Sequence, residues 1–317
     1  MSDVSTVTWP AEGRISGEPY HLSDEEVRFF DDNGYLVLRD RVPQPLLSRL
    51  QAATADLIAI GETAPPGSDP VDYRYADRPA GRTMFRVDYL HDKGEDSTLE
   101  LLGSPAILGI AETLLGRNFV PTYESLVFKQ EGDGAPIEWH QDALHPRNGR
   151  IFNVDIYLDD SRTGEGALRV VPGSQRSAPD ICELQTDHGW EPPGVISVEM
   201  GPGDVLVHDV MLLHGSEAVT GNRLRRTIYY EFRAAEQILS EGPWDAEWVA
   251  KRLALLPVGL AAYARANPDE TGFRWGISDE YRPEEVDDRS IALKVAHMVG
   301  SPGNYCSAGS VPPRSKT

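Results

Sequence analysis

Apolar and polar positions along this chain follow two rhythms. The first is helical. Leu22 and Ser23 lead into Asp24-Glu25-Glu26, where Ser23 can cap a helix and Glu26 can reach back to it. Phe29 and Phe30 follow, and Gly34 suits the stop. Residues 35–38 read as a strand and 45–60 as a second helix. Residues 61–82 carry Gly61, Pro65, Pro66, Gly67, Pro70 and Pro79 ahead of Gly81, the texture of a long loop or flap. Residues 84–89 read as a strand, and Ser104-Pro105 opens a helix that Gly116 ends.

The second rhythm runs from 119 to 232. Short β-rich runs at 119–129, 136–141, 151–158, 167–171, 195–199, 205–208 and 226–232 alternate with turn signals at Gly132, Gly134, Gly164, Gly166, Gly173, Gly201, Gly203 and Gly221. Many short strands between glycine turns predict a barrel or jelly roll. After residue 243 the texture is helical or irregular again. The expected organisation is one domain, mainly β with flanking helices. It comprises an N-terminal arm (1–20), a jelly-roll core (about 119–235) and a C-terminal cover (236–317).

Composition narrows the function. The net charge of −20, from 30 basic and 50 acidic side chains, repels nucleic acid and anionic membranes, so the expected partner is a small molecule. Cys182 and Cys306 are too few for a disulfide framework and predict reduced thiols in a reducing compartment. The N-terminus lacks the basic and apolar regions of a secretory signal. The longest uncharged apolar stretch, 253–264, contains Pro257 and Gly259 and is too short to span a bilayer. Together these predict a cytoplasmic protein; nothing here bears on oligomeric state.

The chemistry centres on Glu138-Trp139-His140-Gln141-Asp142. In a strand, residues i and i+2 face one way, so His140 and Asp142 can meet at one point. A distant second histidine completes a two-histidine, one-carboxylate set that leaves coordination positions open on iron(II). Alone, His-X-Asp is weak. For the distal ligand, His188 sits in a loop-like stretch and His208 closes an apolar strand as a core or supporting histidine. His214, in Leu212-Leu213-His214-Gly215-Ser216, is delivered to the barrel mouth and is preferred. A co-substrate carboxylate buried in such a barrel needs a bidentate cation. Arg225 lies eleven residues beyond His214, and strand geometry admits only one of Arg225 and Arg226 to the interior. Arg223 and Arg226 are then expected on the solvated surface.

These residues together resemble the phytanoyl-CoA dioxygenase family of iron(II)/2-oxoglutarate oxygenases. The likeness covers roughly residues 21–235 and rests on 139–142, on 166–174 (Gly-Ala-Leu-Arg-Val-Val-Pro-Gly-Ser), and on Gly203-Asp204 followed by 213–216. The resemblance implies a double-stranded β-helix (a cupin-like jelly roll), Fe(II) held by His140, Asp142 and His214, and 2-oxoglutarate and O2 as co-substrates. It places Arg225 on the 2-oxoglutarate carboxylate, with Ser216 beside it and Arg86 as a further contact. It implies hydroxylation of an unactivated C–H bond with release of succinate and CO2. Relatives that halogenate lack the carboxylate that Asp142 supplies. Desaturation, ring closure and epimerisation use the same machinery.

Two positions depart from the family. Glu138 should face the cavity with His140, and Asp155 stands where many members carry an aromatic residue. Either they are solvated or paired carboxylates, or they contact a polar or cationic substrate; a CoA thioester fits them poorly. Two other readings compete: a cupin-like metal enzyme that does not use 2-oxoglutarate, and a non-catalytic jelly-roll binding protein. Arg225 speaks against the first and the intact histidine–aspartate set against the second.

Overall fold

The central alternation folds into two antiparallel sheets, with helices before and after them. The structure, a computed structural model, describes residues 20–65, 67–78, 81–130, 136–145, 148–219, 224–283 and 304–306. Helix α1 (Asp24–Asn33) starts at Ser23, whose side chain accepts from the Glu26 amide, while the Glu26 carboxylate accepts from the Ser23 amide at 2.7 Å. It stops at Gly34, whose φ of 78° is left-handed. A Cβ there would stand 2.5 Å from the Gln175 side chain, so only glycine meets both demands. Strand β1 (Tyr35–Leu38) follows, then α2 (Gln44–Glu62), β2 (Tyr73–Arg78) and β3 (Gly81–Asp88). Helices α3 (Asp96–Leu102) and α4 (Pro105–Leu115) come next, with Ser104 capping α4. The core strands are β4 (Phe119–Lys129), β5 (Ile137–His140), β6 (Phe152–Tyr157) and β7 (Leu168–Val170). After helix α5 (Ile181–His188) come β8 (Ile196–Val198), β9 (Val205–Asp209), β10 (His214–Ser216) and β11 (Arg225–Ala234). Helices α6 (Ala235–Glu241), α7 (Ala246–Leu253) and α8 (Leu255–Ala266) complete the order.

The large sheet runs β1-β9-β6-β11-β4-β3-β2 and the small one β5-β10-β7-β8. This is the expected cupin-like jelly roll with flanking helices. Alternation sorts the large sheet into two faces. Phe152, Val154 and Ile156 of β6 and Ile228, Tyr230 and Phe232 of β11 pack into one core with Leu47 and Leu50 of α2 and Ile107 and Ile110 of α4. The opposite face looks towards the small sheet and is far more polar. Cross-strand register sets Arg86, Val127, Thr227 and Tyr157 in one row, with Asp88, Ser125, Tyr229 and Asp155 in the next. Tyr123, Glu231, Asn153 and His208 form a third row. Apolar contacts between the sheets come from Tyr157, Leu168, Val170, Leu206 and Leu212.

The structure corrects three expectations. Part of the 61–82 flap is ordered: α2 continues through Gly61, and β2 pairs with β3 from Tyr73↔Val87 to Arg78↔Gly81. The Tyr75 hydroxyl donates to the Gly61 carbonyl at 2.8 Å, tying the hairpin to the helix. Prolines and glycines at its ends hid the pairing residues between them. Arg226 is not solvated; it is buried and paired with Asp159 at 2.8 Å, while Arg223 lies outside the described residues. Cys182 and Cys306 are not separate thiols but a disulfide across 124 residues of sequence. Spacing could not announce a pairing made only by tertiary return of the chain. The 1–20 arm and most of the C-terminal cover beyond 283 lie outside the described residues. The stretch 96–115, long and apolar enough to cross a bilayer, is 83% buried inside the fold, as core helices are.

Beneath the sheet, Glu124 of β4 is sealed between His91 and Arg252 of α7 and bonds to both. Burial alone would raise its carboxyl, but Arg252 and His91 outweigh burial and lower it from 4.5 to about 2. A carboxyl depressed in the folded state adds stability that is full above the unfolded value and fades as pH falls from 4.5 towards about 2. Glu124→Gln should therefore cost about 3–5 kcal/mol at neutral pH, because Arg252 is left buried without its counter-charge. It should also flatten the acid limb of stability in that window. Urea denaturation across pH checks both; an unchanged acid limb would contradict the assignment.

Candidate metal and co-substrate site

Strands β5 and β10 are neighbours in the small sheet, and their register sets His214 opposite His140 with ring centroids 4.1 Å apart. Gly215 permits this approach, since a Cβ there would come within 3.0 Å of the Ile137 carbonyl. Each imidazole is oriented by its own strand. His140 Nδ1 donates to the Glu138 carbonyl at 2.7 Å, and His214 Nδ1 donates to the Leu212 carbonyl at 2.8 Å. A carbonyl can only accept, so both protons sit on Nδ1 and both Nε2 atoms are left as ligands. Asp142 follows β5 directly, with Oδ1 3.4 Å from His140 Nε2 and 3.8 Å from His214 Nε2. One ligand atom from each of the three residues lies within 4.8 Å of the others.

The other Asp142 oxygen is held from the large sheet. Asn153 Nδ2 donates to Oδ2 at 2.8 Å and His208 Nε2 at 3.1 Å. His208 Nδ1 in turn donates to Asp155 at 2.8 Å. An imidazole that bonds carboxylates through both nitrogens carries both protons. Burial would lower its pKa, but Asp155 and Asp142 outweigh it and raise it to about 10. His214 behaves oppositely: burial, then the neighbouring His140, lower it to about 3, so it stays neutral and free to ligate. Burial opposes ionisation of Asp142, yet His214, His140 and His208 hold its carboxyl well below the usual range. Two imidazoles and a carboxylate suit iron(II) and leave positions open for a chelating co-substrate and O2.

Two buried cations lie on the adjoining strands β4 and β11. Arg225 is 2% exposed and lies over the Tyr157 ring at 5.7 Å, with Nη1 donating to the Gly166 carbonyl. Its Nε and the hydroxyls of Tyr157 and Thr227 are buried with no partner among the described residues. Such orphaned donors are costly unless a ligand meets them, and a dicarboxylate would. Opposite Arg225 in register stands Lys129, buried, with Nζ 2.7 Å from Ser216 Oγ. Lys129 escaped the sequence reading, although a lysine closing the otherwise apolar 126–129 run of a buried strand was a usable signal.

The remaining candidates fall elsewhere. Arg86 lies on the inner face of β3, beyond Val127, with Nε 3.0 Å from Asp88. Asp155 is fully buried and pairs with His208. Glu138 is exposed rather than enclosed. His188 ends α5 on the surface, and His208 supports the site rather than completing it.

The sequence profile described as phytanoyl-CoA dioxygenase (PhyH) matches residues 30–227. The chain belongs to this family. It is an iron- and 2-oxoglutarate-dependent dioxygenase. A 2-aminoethylphosphonate dioxygenase from an uncultured bacterium (HF130_AEPn_1) is 27% identical over 233 residues, which is 70% of this chain and 84% of that protein. An ectoine dioxygenase from Sphingopyxis alaskensis is 24% identical over 259 residues, 71% of this chain and 80% of its own length. Among solved structures, AviO1 from Streptomyces viridochromogenes Tue57 is 27% identical with a TM-score of 0.52, covering 67% of this chain and 94% of that one. EctD from S. alaskensis, solved with 2-oxoglutarate and 5-hydroxyectoine, has the same fold at 22% identity, with a TM-score of 0.55 over 68% of this chain and 77% of its own.

The hydrogen bonds behind Asp142 yield a prediction for this dioxygenase. Partners behind a metal ligand are worth about 10–100-fold in metal affinity. Asp155→Asn and His208→Gln should each weaken Co(II) binding by about tenfold, and anaerobic titration of the metal-free protein measures it. Wild-type affinity in both would remove this relay from the site.

Proposed function

We propose that this dioxygenase hydroxylates an unactivated C–H bond of a small polar metabolite, releasing succinate and CO2. In this reading His140, Asp142 and His214 hold iron(II), and Arg225, Ser216 and Lys129 receive the distal carboxylate of 2-oxoglutarate. The observation that carries it is the convergence of one ligand atom each from His140, His214 and Asp142, together with a buried Arg225 whose Nε has no partner among the described residues. Iron(II) with 2-oxoglutarate and O2 supplies the oxidising power for C–H cleavage.

The protein's part is placement and exclusion of water. His140 and His214 enter as neutral donors because their own strands hold the Nδ1 protons. Asp142 offers Oδ1 because Asn153 and His208 hold Oδ2. Arg225 and Lys129 neutralise a carboxylate where water is scarce, so their attraction is little screened. At the mouth, Arg86 supplies a cation, Glu138 an anion and Tyr305 a phenol; Arg86 and Glu138 lie close enough to act electrostatically on that phenol. Opposite charges at one rim suit a compact molecule bearing both signs. The relatives named for 2-aminoethylphosphonate and ectoine support a small polar substrate.

Three measurements bear on this. Anaerobic addition of Fe(II) and 2-oxoglutarate should produce a weak visible charge-transfer band that His140→Ala abolishes. No band in wild type, or a full band in the variant, would end the assignment. Arg225→Leu removes charged hydrogen bonds worth about 1.5–3 kcal/mol and should raise the 2-oxoglutarate requirement about 10–100-fold. A screen for succinate release over metabolite pools should identify the substrate. With it in hand, Glu138→Gln should weaken substrate binding while substrate-independent 2-oxoglutarate decay persists; unchanged binding would remove Glu138 from the mouth.

A further inference from the structure

Residues 304–306 come back to the metal motif from the far end of the chain. The Asn304 carbonyl accepts the Gln141 amide at 3.1 Å, and Asn304 Nδ2 donates to the Asp142 carbonyl at 2.7 Å. Tyr305 forms an antiparallel bridge with His140. Its ring stacks on the imidazole at 4.5 Å with only 9° between the planes. Strand β5 is the edge of the small sheet, so this segment covers the edge that carries His140 and leads to Asp142. Cys306 is bonded to Cys182 in α5. The same region is pinned to β5 by Trp139, whose Nε1 donates to the Gly189 carbonyl at 2.9 Å and whose ring lies 5.4 Å from Trp190. The contacts form a closed circuit from His140 through Trp139, α5, the disulfide and Tyr305 back to His140.

We infer that Tyr305 is a positioning residue for His140, and that the Cys182–Cys306 disulfide is the clasp that keeps it in place. The inference rests on the reading that His140 and Asp142 hold the metal. The Glu138 carbonyl anchors one nitrogen of His140, and the stacked phenol supplies a plane against the ring itself. Asn304 grips the backbone on both sides of the Gln141–Asp142 peptide, the stretch that sets the reach of Asp142 towards His140. The contacts of 304–306 among the described residues are a modest return for ordering a distant segment, and the covalent link lowers that entropic cost. The metal site is thereby coupled to thiol redox state. A dithiol delivers two electrons and two protons, Cys182 and Cys306 become thiols, and the dithiol becomes a disulfide. The segment then keeps its non-covalent contacts and loses the covalent link.

The test uses the full chain and two readouts. In metal-free protein, deuterium exchange at the Gln141 amide should be slow in the oxidised wild type. It should speed up at least tenfold in the Cys182→Ser, Cys306→Ser double variant and in dithiol-reduced wild type, which serves if the variant does not fold. Co(II), added alone, should bind about tenfold more weakly to those forms, with a shifted ligand-field spectrum. Tyr305→Ala should reproduce the loss of Co(II) affinity with the disulfide intact, and Tyr305→Phe, which keeps the ring, should restore it. Equal exchange and equal Co(II) affinity with and without the disulfide would overturn the clasp. A Tyr305→Phe variant as weak as Tyr305→Ala would overturn the stacking role. If Co(II) did not bind the wild type at all, the metal reading would fall, while exchange at Gln141 would still decide whether the clasp exists.

Discussion

The site depends on one cross-strand register, the pairing of β5 with β10 that sets His140 opposite His214. A shift of one residue would turn both imidazoles to the other face of the small sheet, because side chains alternate along a strand. Neither strand is long, so the register is held from outside. Trp139 is tied to Gly189, Gln141 donates to the Ser177 carbonyl at 2.9 Å, and His214 is also paired with Val170 of β7. These contacts fix the backbone. The Nδ1 hydrogen bonds to Glu138 and Leu212 then fix the rings.

Asp142 is the point where the two sheets meet chemically. One oxygen faces the histidines of the small sheet, and the other is held by Asn153 and His208 of the large sheet. The large sheet can offer polar groups here because its alternation is complete. Every second residue of β6 and β11 goes to the helix-covered core, which frees the others for chemistry. On the inner face His208 stands between two carboxylates, and Lys129 donates to Ser216 Oγ and the Glu217 carbonyl. Unmatched buried charge would cost far more than such pairs contribute. Arg225 keeps an Nε with no partner among the described residues.

The charge of −20 and the two buried cations are compatible because they act in different media. Surface carboxylates are screened by salt, whereas Arg225 and Lys129 lie where screening is weak. An anionic co-substrate therefore responds mainly to its immediate walls. Arg86 and Glu138 are nearer solvent.

The sequence by itself determined the strands, the capped helices and the residue types of the metal set. Those follow from local rules: alternation along 119–129 and 151–158, the Ser23–Glu26 box, and the two-residue spacing of His140 and Asp142. Even the choice of His214 over His208 was legible, through Gly215-Ser216 and the distance to Arg225. Only the tertiary structure decided what those residues face. It assigned Asp155 to His208, left Glu138 exposed, buried Arg226 on Asp159 and set Lys129 beside Ser216. It also brought Tyr305 onto His140 and Cys306 onto Cys182, across more than a hundred residues in each case. Local pattern records which face a side chain takes in its own strand. The partner waiting there comes from chain closure, and no periodicity in one sequence encodes that.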